Sequence, residues 1–248
     1  MIKYKVNPKY KENFTTFLKD IKTNFSQNSN SIHKARNEIK IIHHAKQNVV
    51  VKSFKIPHLL NRLVYTFFRE SKAKKSYEYS VKISNFVPKP IGYIEFYKNG
   101  FLEKSYFVSE HFEYDFTIRE PLLNANFPQK DEILKAFAQF TFELHEHEIL
   151  HKDYSPGNIL IKKENGGFTF KIVDINRMEF KTLSLDERLK NFSMLWAKDE
   201  DMKIIAKTYA QQMKADEKYC IKKAIKASQK LKDFKNMKKR LKGKKVVD

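Results

Sequence analysis

His151-Lys152-Asp153-Tyr154-Ser155-Pro156-Gly157-Asn158-Ile159-Leu160-Ile161, answered by Ile172-Val173-Asp174-Ile175-Asn176-Arg177, is the stretch from which the rest of the chain is read. Ile159 to Lys162 is a short apolar run with a polar end, which suits a strand. Lys163-Glu164-Asn165-Gly166-Gly167 is a turn, because Asn-Gly between two apolar runs is a strong hairpin signal. Phe168 to Val173 runs back with Phe168, Phe170 and Ile172 at alternate positions, one face of a second strand. Pairing the two strands brings Asn158 and Asp174 to the same open end. Two oxygen donors far apart in sequence thereby meet. The plain alternative is a surface hairpin with an incidental Asp and Asn.

The residues before the hairpin complete the pattern H-x-D-x-x-x-x-N, and the second strand ends in Asp. That is the base-and-metal constellation of kinase-like phosphotransferases. Phosphoryl transfer from ATP asks for an acceptor hydroxyl held in line and a divalent metal to neutralise the triphosphate. Asp153 is the candidate base or hydroxyl-orienting carboxylate. Asn158 and Asp174 are the candidate Mg²⁺ ligands, since Mg²⁺ prefers oxygen donors that it shares with phosphate. His151 reads as a structural imidazole bracing the loop. His145 and His147 lie nearby but face different sides of one helix, with no cysteine near, so zinc is not expected.

With 41% apolar and 14% aromatic residues, 248 residues can bury a sizeable core, as one large domain or two lobes around a cleft. Cys220 is the single cysteine, which rules out an internal disulfide and fits a reducing compartment. Met1 to Lys11 is polar and charged, so no signal segment is expected. No window reaches the roughly 18 apolar residues of a membrane span. A soluble or peripheral protein follows. The net charge of +20 calls for an anionic partner, be it nucleic acid, anionic lipid or a phosphorylated glycolipid. Part of the excess lies between Lys218 and Asp248, where thirteen Lys or Arg face two Asp.

Phe14, Phe17, Leu18 and Ile21 have helical spacing, and Asn28 to Ser31 is a break. Ile39 to Ile42 and Val49 to Phe54 read as a strand pair. The second is rich in β-branched residues and carries Lys52, the candidate for the α- and β-phosphates. No glycine precedes Gly92, so there is no glycine-rich loop. A phosphate-covering turn falls at His33 to Asn37, where Arg36 or Lys34 would meet phosphate. Pro57 opens a helix whose stripe of Leu59, Leu60, Leu63, Val64, Phe67 and Phe68 either packs on the sheet or lies in a membrane interface. Ser71 to Ile83 continues as helix, with Glu70 or Glu78 as the acid for Lys52; Glu78, deeper in the helix, is preferred. Ile91 to Phe96 and Phe101 to Val108 form a hairpin around Lys98-Asn99-Gly100. Glu110 follows in the segment expected as the interlobe hinge, whose backbone meets adenine. Asp131 to Glu148 is an amphipathic helix bearing Ile133, Phe137, Phe140 and Leu144. After Arg177 the chain reads as helical, with Leu195-Trp196 and Tyr209 giving a modest core. Ile221, Ala224, Ile225, Ser228, Leu231, Phe234 and Leu241 give the last helix a thin apolar face among lysines. It suits docking on anionic membrane or a solvated tail.

Together these residues resemble the lipopolysaccharide core kinases of Gram-negative bacteria, the Kdo kinase and heptose kinase group. The resemblance runs from about Ile32 to Ala210. It rests on Val51-Lys52-Ser53-Phe54, Ser71 to Tyr77, Pro88-Lys89-Pro90-Ile91, His151 to Asn158 and Val173 to Arg177. It implies an α+β, two-lobed, protein-kinase-like fold with a small antiparallel N-lobe (about 1–110), a reduced, mainly helical C-lobe (about 113–215) and a basic helical tail (about 216–248). It further implies ATP- and Mg²⁺-dependent phosphorylation of a Kdo or heptose hydroxyl on a lipid A-linked saccharide, at the cytoplasmic face of the inner membrane. Asp153 would then serve as base, Asn158 and Asp174 would hold Mg²⁺, and Lys52 would bind phosphate. Departures exist: Ser155 stands where many protein kinases carry a phosphate-contacting lysine, and Ile175-Asn176 replaces Phe-Gly. Aminoglycoside-type phosphotransferases are disfavoured by the basic charge, because their substrates are cationic. A RIO-like protein kinase on a nucleic-acid-associated substrate and a non-catalytic scaffold of the same fold are the alternatives. No stable nucleic-acid partner is expected.

Overall fold

Two-residue periodicity dominates the first half of the chain, and it builds one antiparallel sheet. The computed structural model describes residues 1–34, 37–54 and 70–243. They divide into a first unit, Met1–Phe112, and a second, Glu113–Asp248. In the first unit the strands are β1 (Ile2–Val6), β2 (Ser31–Lys34), β3 (Asn37–His44), β4 (Gln47–Phe54), β5 (Pro90–Lys98) and β6 (Phe101–Glu110). Their order across the sheet is β1-β5-β6-β4-β3-β2. The expected strand pair is present, with Ile39 opposite Lys52. So is the expected hairpin, Lys98 opposite Phe101, whose turn residues Asn99 and Gly100 have φ of 50° and 79°.

Pleating sorts the side chains of β4 to two faces. Val49 and Val51 meet Phe14, Phe17, Leu18, Ile21 and Phe25 from helices α1 (Lys11–Lys19) and α2 (Ile21–Gln27). Phe54, on the other face, packs with Ala73 and Tyr77 of α3 (Lys72–Lys82) and with Tyr93. Lys40 fixes the first layer: its buried ammonium donates to the carbonyls of Phe25 and Asn28 at 2.8 and 2.7 Å. A cation there satisfies carbonyls that the end of α2 would otherwise leave unpaired. Ser71 starts α3, its hydroxyl accepting from the Lys74 N–H at 3.1 Å.

The second unit centres on α5 (Lys130–Glu146), after the short β7 (Phe116–Thr117) and α4 (Arg119–Leu123). Ile133, Leu134, Phe137, Ala138 and Leu144 on α5 are fully buried. Then come β8 (Ile149–His151), β9 (Ile159–Glu164), β10 (Gly167–Ile172), β11 (Met178–Phe180), α6 (Leu185–Asn191), α7 (Asp199–Met213) and α8 (Glu217–Arg240). Strands β10-β9-β7 form one sheet, and β11 pairs with β8. Phe140 of α5 stacks on Phe170 of β10 with centroids 5.2 Å apart. Lys130 and the buried Asp201 pair at 2.8 Å, tying the start of α5 to the start of α7.

Several features differ from the sequence expectation. Strands β1, β2 and β11 lie where no strand was read. Trp196 is 40% exposed, so it does not join Leu195 and Tyr209 in the core. The helix expected after Pro57, up to residue 69, and Arg36 lie outside the described residues. Among those described, no helix is long and apolar enough to cross a membrane.

Candidate active site

The β9–β10 hairpin forms as its turn predicts, with Ile159 opposite Ile172. One further bond, Val173 N–H to the Asn158 carbonyl at 2.9 Å, carries the pairing to the open end. Asn158 and Asp174 therefore flank the last rung, as the strand pairing required. Asn158 donates its side-chain amide N–H to the Asp153 carbonyl at 2.9 Å, which turns its amide oxygen the other way. Asp174 sits at φ 55°, the left-handed region that a non-glycine residue adopts at a cost. One of its carboxylate oxygens accepts from the Asn176 amide at 2.7 Å. Asp153, Asn158 and Asp174 are thus linked through one short loop and one hairpin.

His151 holds that loop. The Asp153 N–H donates to its Nδ1 at 3.0 Å, so Nε2 carries the proton, and it donates to the Val173 carbonyl at 3.0 Å. Burial depresses the imidazole pKa, which keeps the ring neutral and this bonding pattern intact. One ring thereby joins the loop before Asn158 to the strand before Asp174. Tyr154 anchors the other side of Asp153. It is fully buried, stacks on Phe137 at 5.7 Å, and its hydroxyl meets that of Thr141 at 2.8 Å. The Asp153 carboxylate itself is open, 41% exposed, with the Arg177 guanidinium 4.0 Å away.

A buried chain of polar groups supports the loop from below. Tyr209 of α7 donates to His145 Nδ1 at 2.8 Å, and His145 Nε2 meets Asn191 Oδ1 at 3.1 Å. The Asn191 amide then donates to the His151 carbonyl at 3.0 Å. Burial pulls the His145 pKa down to about 4. Sequence reading did not single out Asn191 or Tyr209 for this role, because neither carries a local signal. Arg119 was missed as well. Its guanidinium lies over Gly157, and a Cβ there would come within 2.5 Å of it. Glycine at 157 therefore gives this cation room beside the loop that bears Asp153.

In the first unit, Lys52 shares with Phe54 the face of β4 that α3 covers, its ammonium 5.4 Å from the Phe54 ring centroid. Glu78 lies off the buried side of α3, with Lys74 as an ion-pair neighbour at 3.7 Å. Lys74 also pairs with Glu70, at 2.7 Å. Glu110 ends β6: its carboxylate accepts from the Tyr10 hydroxyl at 2.5 Å, and its N–H donates to the Lys89 carbonyl at 2.9 Å. The next N–H, of His111, donates to the Asn48 carbonyl at 3.1 Å.

A family model described as the lipopolysaccharide kinase (Kdo/WaaP) family matches residues 34–215. No curated protein matches the chain. Among solved structures, one described as WaaP in complex with acyl carrier protein is similar, with a TM-score of 0.57 and 12% identity. The likeness covers 92% of this chain and 99% of that one. At that identity it speaks to the fold, a kinase-like mixture of helices and antiparallel sheet, as expected from the sequence.

Proposed function

Since the chain belongs to the lipopolysaccharide kinase (Kdo/WaaP) family, a family of phosphotransferases, we propose that it moves the γ-phosphoryl group of ATP to a sugar hydroxyl. The acceptor is Kdo or heptose of a lipid A-linked saccharide, at the cytoplasmic face of the inner membrane. The observation that carries this reading is the meeting of Asn158 and Asp174 at one end of the hairpin, bonded through Asn158 to the Asp153 carbonyl. The donors suit Mg²⁺: a carboxylate and an amide oxygen, both hard, on backbone fixed by hydrogen bonds. Mg²⁺ bound there would offset the triphosphate charge.

Asp153 orients the acceptor hydroxyl and takes its proton. Its backbone is pinned by His151 and Tyr154 while its carboxylate stays open to an incoming alcohol. Lys52 and Arg36 serve the phosphates, Glu78 is the acid proposed to position Lys52, and backbone at Glu110 meets the base. An anionic lipid-borne acceptor agrees with a net charge of +20. The same charge admits an acyl carrier protein as a further partner, as described for the WaaP structure.

The test is transfer of labelled γ-phosphate from MgATP to Kdo-lipid A in mild detergent, beside Asp153→Ala. Label on the lipid that vanishes in the variant supports the reading. Label that persists in Asp153→Ala, or that appears only on added protein substrate, refutes it.

A further inference from the structure

Helix α8 carries two unlike faces. Cys220, Ala224 and Ser228 are buried against the second unit. A different line, Tyr219, Lys223, Lys226, Lys230, Phe234, Met237 and Leu241, advances by three or four residues at each step and so forms one stripe along the helix and its C-cap. At its start Tyr219 and Lys223 both bond to Asp186 of α6, at 2.7 and 2.5 Å. Beyond α6 the same stripe is open. Lys226 and Lys230 are exposed, and Phe234, Met237 and Leu241 are 46%, 49% and 79% exposed. Phe234 and Leu241, read from sequence on one thin apolar face with Ala224 and Ser228, thus stand apart from those two buried residues. Lys238 holds its ammonium 4.2 Å from the Phe234 ring centroid.

We infer that this open half of α8 is a docking surface for an anionic phospholipid bilayer. Three large apolar side chains left in water on one face mark a contact surface rather than a solvated helix. Their setting selects the occupant. Helix α8 has ten Lys and Arg against Glu217 and Asp233, so the apolar end lies in a strong positive field. Aromatic and aliphatic groups entering the headgroup layer, with cations beside lipid phosphates, are the pattern of an interfacial helix. A second copy of the chain fits poorly, since Lys226, Lys230 and Lys238 would face their own counterparts. Nucleic acid would satisfy the lysines and leave Phe234, Met237 and Leu241 in water. The inference deepens the proposed function by naming the surface that would bring the site to a membrane-borne acceptor.

The experiment is cosedimentation of the full chain with vesicles of phosphatidylcholine alone and of phosphatidylcholine mixed with phosphatidylglycerol, at low and high salt. Binding should appear on the anionic vesicles only and weaken with salt. The variant F234Q/M237Q/L241Q should lower partitioning by about tenfold or more, with an unchanged melt because the replaced groups are exposed. K226E/K230E/K238E should abolish binding at low salt. Vesicle binding unchanged in both variants overturns the inference. So does light scattering that shows a dimer dissolved by F234Q/M237Q/L241Q, or capture of an acidic soluble protein by this stripe without any vesicle binding. Phosphotransfer to a detergent-dispersed acceptor, retained in F234Q/M237Q/L241Q, keeps a failure here separate from a failure of the proposed reaction.

Discussion

Acid should loosen this protein through His145 well before most carboxylates titrate. The imidazole is fully buried between Tyr209 and Asn191, and its pKa is about 4 against 6.5 for an exposed histidine. Between those values the unfolded chain binds a proton at this residue that the folded chain refuses. Stability from this group is therefore complete above pH 6.5 and is lost as pH falls toward 4. A gap of 2.5 units at 1.36 kcal/mol each amounts to about 3 kcal/mol, with a limiting slope of about 1.4 kcal/mol per pH unit. Urea unfolding at several pH values between 4 and 7 measures it. His145→Gln removes the titration, so the stability difference between native chain and variant should shrink as pH falls. Should the variant fold poorly, imidazole NMR of the native chain reads the pKa without it. A difference that stays flat across this range, or an imidazole titrating near 6.5, would refute the argument.

Four other perturbations test the site and the fold. Asp153→Ala should abolish transfer with a melt within about 2 °C of native, as its carboxylate is half open; Asp174→Ala should erase the rise in melting temperature that MgATP gives by binding only the folded state. Asn191→Ala strands the His145 N–H and the His151 carbonyl in the interior, costing about 3 kcal/mol and roughly 5–10 °C in melting temperature; a melt within about 1 °C of native would contradict the network. Lys46→Gly should stabilise by about 1 kcal/mol, because Ala45 and Lys46 turn the β3–β4 hairpin with φ of 48° and 63°; urea unfolding that shows no gain would mean that the turn does not carry this strain.

The parts legible in the sequence are those with a local code. Asn165-Gly166 announces a hairpin, and the hairpin's register fixes where Asn158 and Asp174 meet, so that geometry followed from the seventeen residues that run from one to the other. The α1–α2 face and α5 were legible for the same reason, through helical spacing of Phe14, Phe17, Leu18 and Ile21 and of Ile133, Phe137 and Leu144. Strand β1 was not, because Ile2-Lys3-Tyr4-Lys5-Val6 is a mostly exposed edge strand whose pairing with β5 lies some 90 residues away. The β3–β4 turn is equally silent, since Ala45-Lys46 lacks the residues that favour its backbone. Asn191 and Tyr209 gain their roles from helix packing alone. A sequence periodicity also cannot say which of two faces a helix buries, and α8 shows the consequence for Phe234 and Leu241.

Several buried polar groups of the second unit lie beneath one loop, a placement that suits the role proposed for Asp153. A polar network in the interior offers little net stability over well-packed apolar groups, yet it specifies one arrangement, because each unmet donor or acceptor is costly. Tyr209, His145 and Asn191 spend that specificity on the His151 carbonyl. His151 passes it to the Asp153 N–H and the Val173 carbonyl, and Tyr154 adds a stacked ring three residues along. The backbone of Asp153 is thereby held from both sides, and Asn158 reads its carbonyl directly. A carboxylate that must accept a proton from one particular hydroxyl needs a fixed main chain and an open side chain. A short loop braced by a neutral, doubly bonded histidine achieves both, which is why the pattern begins at His151 and not at Asp153.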